Sequence, residues 1–275
     1  MREKIVSLNF NKRAEQIMHK QKELMLFATE LASLFPDHPH IRWEKAAFVP
    51  WQEIIRKPDM DEEAAPENIR NEVFGSSENR WNYWSNQLDV RRMVLQLVAD
   101  FLDGEVTREE MKKHLINGHT QLILGEKGDT PYQPPTYITF GLEGQLDPLK
   151  TMTRKLGLTN NGIDKLRDNL SDVIGGLNNP ENSIDDIKDS LYEFQRIMIV
   201  PVFDKECMSA FPFAFGNNSF SMNHINALLR LFGREGISHD GIDFALLANR
   251  ETPKKAYNHF IAILFEGAEL NNGYY

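Results

Sequence analysis

Apolar positions recur at helical spacing along most of the chain. Ala14, Ile17, Met18, Leu24, Met25, Ala28, Leu31 and Ala32 predict a helix over residues 11–34. Phe35-Pro36-Asp37-His38-Pro39-His40 then breaks the pattern. Leu88, Leu95 and Leu102 recur every seven residues beside Val94, Val98 and Phe101, and Gly104 closes this second helix. Thr107 followed by Glu110 is a capping box that opens a helix carrying Met111 and Leu115, with Gly118 as its punctuation. Two short runs, residues 121–124 and 136–140, read as the strands of a β-hairpin around a Gly- and Pro-rich loop. Residues 145–180 carry Leu149, Leu156, Ile163, Leu166, Leu170, Val173 and Leu177 in helical pieces. Joints at 159–162, 175–176 and 178–180 separate these pieces, and the whole reads as a helical insertion. Ser183 and Asp186 form another capping pattern, ahead of Ile187, Leu191, Phe194 and Met198. Met222, Ile225, Leu228, Leu229 and Phe232 share one face of a helix over 220–232, with Gly233 at its C-terminal cap. Residues 237–248 form a further helical segment, and Thr252-Pro253 starts a last helix with Ala256, Phe260, Ile263 and Leu264. The predicted fold is mainly α with one hairpin.

Composition narrows the function classes. The chain has 275 residues, with apolar residues at 41% and charged residues at 26%, which is enough for a sizeable core and is not the profile of a disordered chain. A net charge of −9 argues against nucleic acid or an anionic membrane as the main partner. No apolar run is long enough for a membrane span, and residues 1–10 lack a signal-peptide core. The expectation is a cytoplasmic protein, or one delivered into a host cytosol. Cys207 is the single cysteine, so neither an intramolecular disulfide nor a Cys-rich zinc site is available. His38 and His40 flank Pro39, but a structural metal needs further ligands at matching spacing, so this segment reads as a loop and no metal is assigned. Trp43, Trp51, Trp81 and Trp84 all fall within residues 41–84. They either pin an irregular N-terminal extension to the body or present a partner-binding surface.

The candidate chemistry lies just before the helix over 220–232. There Phe211-Pro212-Phe213-Ala214-Phe215-Gly216-Asn217-Asn218-Ser219 makes an apolar turn that ends in residues tolerant of unusual backbone angles. Successive amides in such a turn, ahead of a helix N-terminus, form a seat for an anion. The loop resembles the signature loop of the Fic family (the Fic/Doc/AvrB, or Fido, group), His-Pro-Phe-x-(Asp/Glu)-Gly-Asn-Gly-Arg-x-x-Arg. Pro212, Phe213, Gly216 and Asn217 match that pattern. The order of helix, capping box, helix and hairpin over roughly residues 86–266 is also similar.

The resemblance implies a Fic-like helical bundle over 85–270 with the hairpin as its flap, and a helical N-terminal extension over 1–84. In the family the His is a general base, the acid holds Mg²⁺, the Gly-Asn amides cradle phosphate, and the two Arg neutralise phosphate charge. Here the degenerate positions are Phe211 for the base, Phe215 for the metal ligand, and Ser219 and Met222 for the arginines. A phenyl ring accepts no proton, and neither Phe215 nor Met222 can hold a metal or a phosphate. AMP transfer by the family's mechanism is therefore not expected. The candidate anion- or nucleotide-binding residues are Gly216, Asn217, Asn218, Ser219 and Ser221. His224 is a weak candidate for a relocated base, and His114 and His119 are weaker still. The family's self-inhibitory pattern has its nearest counterpart at Glu266-Gly267, where Ala262 stands in the hydroxyl position. A nucleotide is the only cofactor the resemblance admits, and Mg²⁺ loses its ligand.

Three functions stay open. The first is a Fic-like protein, of bacterial effector or toxin type, that binds a protein partner through the flap 121–140 or the Trp-rich residues 41–84. The second is a transferase of nucleotide-derived groups to protein that uses non-standard residues. The third is an unrelated helical protein whose motif match is accidental.

Overall fold

The computed structural model describes residues 2–54, 77–104, 106–125, 137–139, 153–155, 160–199, 217–238, 242–243, 246–247 and 253–266. Helix dominates these residues. A long α1 (Arg2–Leu34) is followed by a short α2 (Trp43–Ala47) and a 3₁₀ turn (Trp51–Glu53). Then come α3 (Ser77–Leu102), α4 (Arg108–Leu124), α5 (Asn160–Leu177), α6 (Ile184–Ile199), α7 (Asn217–Leu231) and α8 (Pro253–Glu266). Two three-residue strands lie between α4 and α5 in sequence. β1 (Tyr137–Thr139) pairs antiparallel with β2 (Thr153–Lys155), with Ile138 opposite Arg154.

The caps foreseen at Thr107, Ser183 and Gly104 form, and the one foreseen at Thr252 lies outside the described residues. The Thr107 hydroxyl accepts from the Glu110 backbone N–H at 3.3 Å while the Glu110 carboxylate accepts from the Thr107 N–H at 2.7 Å. At the start of α6 the Ser183 backbone N–H donates to Asp186 at 2.7 Å, so Asp stands in for the usual Glu. Gly104 takes a φ of +74° as the chain leaves α3.

The hairpin is corrected. Residues 121–124 are the last turn of α4, and β1 pairs with β2 instead of with them. A run as short as Gln121-Leu122-Ile123-Leu124 does not distinguish strand from helix by periodicity. Here Met111, Leu115 and Leu122 keep one apolar face going, and a helix already nucleated at the capping box extends with one bond per residue. Gly118 accordingly lies inside α4, where a side chain would run into the Phe220 ring. The helix stops at Gly125, whose φ of +62° and contact with the Asn86 amide leave no room for a side chain. Asn86 Nδ2 donates to the Leu122 carbonyl at 3.1 Å, so α3 closes the end of α4. Residues 175–176 likewise do not break a helix, since α5 runs through both glycines to Leu177. Residues 153–155, inside the expected helical insertion, are strand β2. Half of the segment 237–248 lies outside the described residues; within the rest, residues 246 and 247 are helical.

α7 is the hub. Helices α2, α3, α4, α5 and α6 and the 3₁₀ turn all pack on it. Every one of its residues except Asn218 is buried. One apolar core runs from Leu24 on α1 through Trp43, Leu95, Leu170, Phe194 and Leu228 to Leu264 on α8. Each fully buried Leu or Ile in it contributes about 1.5–3 kcal/mol relative to exposure. Trp43 is buried and stacks on Phe35 with ring centroids 5.6 Å apart, and Trp84 packs partly against the core. These two tryptophans fasten the N-terminal layer, whereas Trp51 is about half exposed. His40 donates from Nε2 to the Leu177 carbonyl at 2.7 Å, which ties the Pro-rich loop to the end of α5. Among the described residues no helix is long and apolar enough to cross a membrane.

Candidate functional site

Phe211, Phe215 and Gly216 lie outside the described residues, so the candidate site is described from Asn217 onward. Asn217, at the first position of α7, is buried, and Asn218 is the one residue of the helix with appreciable exposure. Ser219 is fully buried and its Oγ has no hydrogen-bond partner among the described residues. Ser221 is fully buried and its Oγ donates to the Asn218 carbonyl at 3.1 Å. Met222 is in the core at 3% exposure. Ser219 and Met222, at the positions of the family's two arginines, are therefore both interior.

His224 is sealed in as well. Phe220 lies 4.3 Å from it, ring centroid to centroid, and Phe194 5.7 Å. Its Nδ1 is 2.9 Å from the Phe220 carbonyl, which can only accept, so Nδ1 carries the proton. Burial, followed by the charge of Arg91, pushes its pKa down to about 4 against that hydrogen bond. The neutral ring then presents an Nε2 lone pair, and His114 Nε2 lies 3.4 Å away. His114 must be the donor in this long hydrogen bond. Its own pKa is lowered to about 3 by burial and by the neighbouring His224. The pair is uncharged at neutral pH. His119 is buried in edge-to-face contact with Phe220, 5.9 Å between centroids.

The rest of α7 is polar yet buried. Asn223 Nδ2 donates to the Ser219 carbonyl at 3.4 Å and to Gln87 at 3.5 Å. Asn226 exchanges two hydrogen bonds with the backbone of Ile237, at 2.7 and 3.0 Å. Arg230 grips Glu53 through Nε at 2.8 Å and Nη2 at 2.6 Å. Arg91 Nη2 reaches the other oxygen of the same carboxylate at 3.3 Å, and its Nη1 donates to the Ala46 carbonyl at 3.1 Å. Burial, opposed by Glu53 and aided by Arg230, lowers the Arg91 pKa to about 10, so it keeps its charge. Gly236 packs directly on the Glu53 carboxylate, where any side chain would collide with it. This cluster holds the 3₁₀ turn to α3 and α7.

Sequence reasoning missed the charged cluster. Arg91 is three residues after Leu88 and four before Leu95, which places it on the buried face of α3. Arg230 interrupts the apolar run Leu228-Leu229-Arg230-Leu231. Both are signals that a partner is buried with them. Glu53 carries no comparable mark.

Two cavities of about 400 Å³ open on the described surface. One lies between α3 and α4 and the other beside α2. Neither is lined by Asn217, Ser219, Ser221 or His224. No group of three or more His, Cys, Asp or Glu able to hold a metal occurs among the described residues. No protein-family model, no curated protein and no solved structure matches the chain.

Proposed function

We propose that this chain is a Fic-like helical protein that has lost AMP transfer and works by binding another protein. The observation that carries this reading is the burial of α7 round its whole circumference. A helix that walls a nucleotide cleft keeps one face open to ligand, whereas this one is the packing centre of the molecule. Ser219 and Met222, where the family's phosphate-neutralising arginines would stand, are apolar or uncharged and interior. Partner binding draws support from the surface. Among the described residues the large exposed hydrophobics are Met18, Leu26, Leu34, Phe48 and Trp51, all on α1 or in the segment just after it. Phe48 and Trp51 belong to the Trp-rich region and make it the favoured contact surface. Membership of a bacterial effector or toxin group follows from the resemblance alone.

The second reading, a transferase that binds a nucleotide or phosphorylated ligand at Gly216–Ser221, is favoured by one feature. The Ser219 hydroxyl, in the first turn of α7, is buried without a hydrogen-bond partner among the described residues, a state that natural interiors mostly avoid. Incubation with ATP and Mg²⁺ followed by intact-mass measurement separates the two readings. The binding reading expects an unchanged mass for the chain and for added test proteins. A gain of one adenylyl group, abolished in Gly216→Asp, supports the transferase.

A further inference from the structure

We propose that the groove between α3 and α4 is a binding site for a small organic cation, an alkylammonium with a short apolar body. The groove is a cavity of about 400 Å³ with Met93, Leu97 and Val106 as its apolar wall. Asp100, Glu110, Lys113 and His114 are its titratable lining, with the amides of Gln96 and Asn117.

The proton positions make His114 an acceptor toward this groove. The Phe220 carbonyl fixes the proton of His224 on Nδ1, so His224 Nε2 accepts from His114 Nε2–H. A neutral imidazole has one proton, and that of His114 is spent inward. Its Nδ1 is left as a lone pair on a ring that lines the cavity, with no hydrogen-bond partner among the described residues. A buried side chain two residues deep thus sets the polarity of a surface site.

The charges point the same way. The Glu110 carboxylate is engaged by the Thr107 hydroxyl and backbone N–H, which hold its pKa below the usual range, with a smaller contribution from Lys113 one turn on. Asp100 receives Gln96 Nε2 on Oδ1 at 2.6 Å and forms no ion pair among the described residues. The groove therefore offers an imidazole lone pair and an uncompensated carboxylate beside an apolar wall. A donor that carries positive charge matches it, and an anion does not. The site is separate from the start of α7 and does not depend on the reading of the chain as Fic-like.

Titration of ¹⁵N-histidine-labelled full-length protein with n-butylammonium, followed by the imidazole nitrogen signals, tests this site. The ligand-free protein should show His224 protonated on Nδ1 and His114 on Nε2. Added n-butylammonium should move the His114 Nδ1 signal saturably, n-butanol should not, and Asp100→Asn should weaken binding several-fold with the melting temperature unchanged. A second titration with an acetylated lysine-containing peptide separates two sources of the same ammonium. Tighter binding than n-butylammonium assigns a protein side chain, and equal or weaker binding a free amine. A His114 Nδ1 signal that does not saturate, or that responds equally to n-butanol and in Asp100→Asn, overturns the proposal.

Discussion

Glu53 is the residue on which most buried charge converges. Its carboxylate lies between two guanidinium groups that are themselves almost fully buried, and Glu235, the other acid near Arg230, is largely in solvent. Replacing both partners by apolar groups costs little in such clusters, but removing one strands the others. Glu53→Gln leaves two buried cations facing a neutral amide and should cost about 3–5 kcal/mol in urea unfolding. A loss below about 1 kcal/mol would mean the cluster behaves like a surface pair. The histidine pair gives a pH dependence with a definite sign. Both folded pKa values lie below the unfolded value of about 6.5, so the unfolded chain takes up protons first as the pH falls. The stabilisation is whole above about pH 6.5 and is lost as the pH drops toward the folded values. For the fully buried His224 the slope is at most about 1.4 kcal/mol per pH unit. Carboxylates contribute only near their own range, around pH 4, so the interval from about 6.5 to 5 reports on histidine. Stability that is flat over that interval, or as steep in His224→Phe as in the parent, would contradict this assignment.

At the scale of elements, local signals read best. The capping boxes at Thr107 and Ser183 form as written because a cap is decided within four residues. Thr107→Ala should therefore cost about 1 kcal/mol, measured by chemical unfolding. The apolar stripes of α3 and α6 were legible because burial follows their period, whereas α7 is buried all round and its stripe marks only part of the buried surface. The run 121–124 was not, since its four residues fit a strand and only continuity with Leu115 makes it helix. Gly118 and residues 175–176 misled for a related reason. A glycine inside a helix marks close packing, against Phe220 in one case and Ile187 in the other, as readily as it marks an end. The tryptophans sort by burial in a way that composition cannot reveal. Trp43→Ala should cost about 3–5 kcal/mol, while Trp51→Ala should stay within about 0.5 kcal/mol. Equal costs would remove Trp51 from the candidate contact surface and return it to the core.

For the whole molecule, the helix that follows the candidate loop is the packing centre, and that is what bears on function. α7 collects contacts from elements spread over residues 43–199, with α2 and the 3₁₀ turn among them as well as α3, α4, α5 and α6. A helix so enclosed gains stability at the expense of access. The long-range pairs that enclose it, Glu53 with Arg230 and His114 with His224, join residues 177 and 110 positions apart, beyond the reach of any local pattern. Most of the loop expected to form an anion seat lies outside the described residues, and access to its helical end, Asn217 to Ser221, depends on these distant neighbours. The central claim is that the start of α7 serves as scaffold. Calorimetric and thermal-shift titration with ATP, GTP, CDP-choline and UDP-sugars, with and without Mg²⁺, tests it most directly, with Gly216→Asp as control. A scaffold role gives no saturable heat and no shift in melting temperature for any of them. Saturable binding that disappears in a normally folded Gly216→Asp would contradict it, and would make the buried Ser219 hydroxyl part of a working nucleotide site.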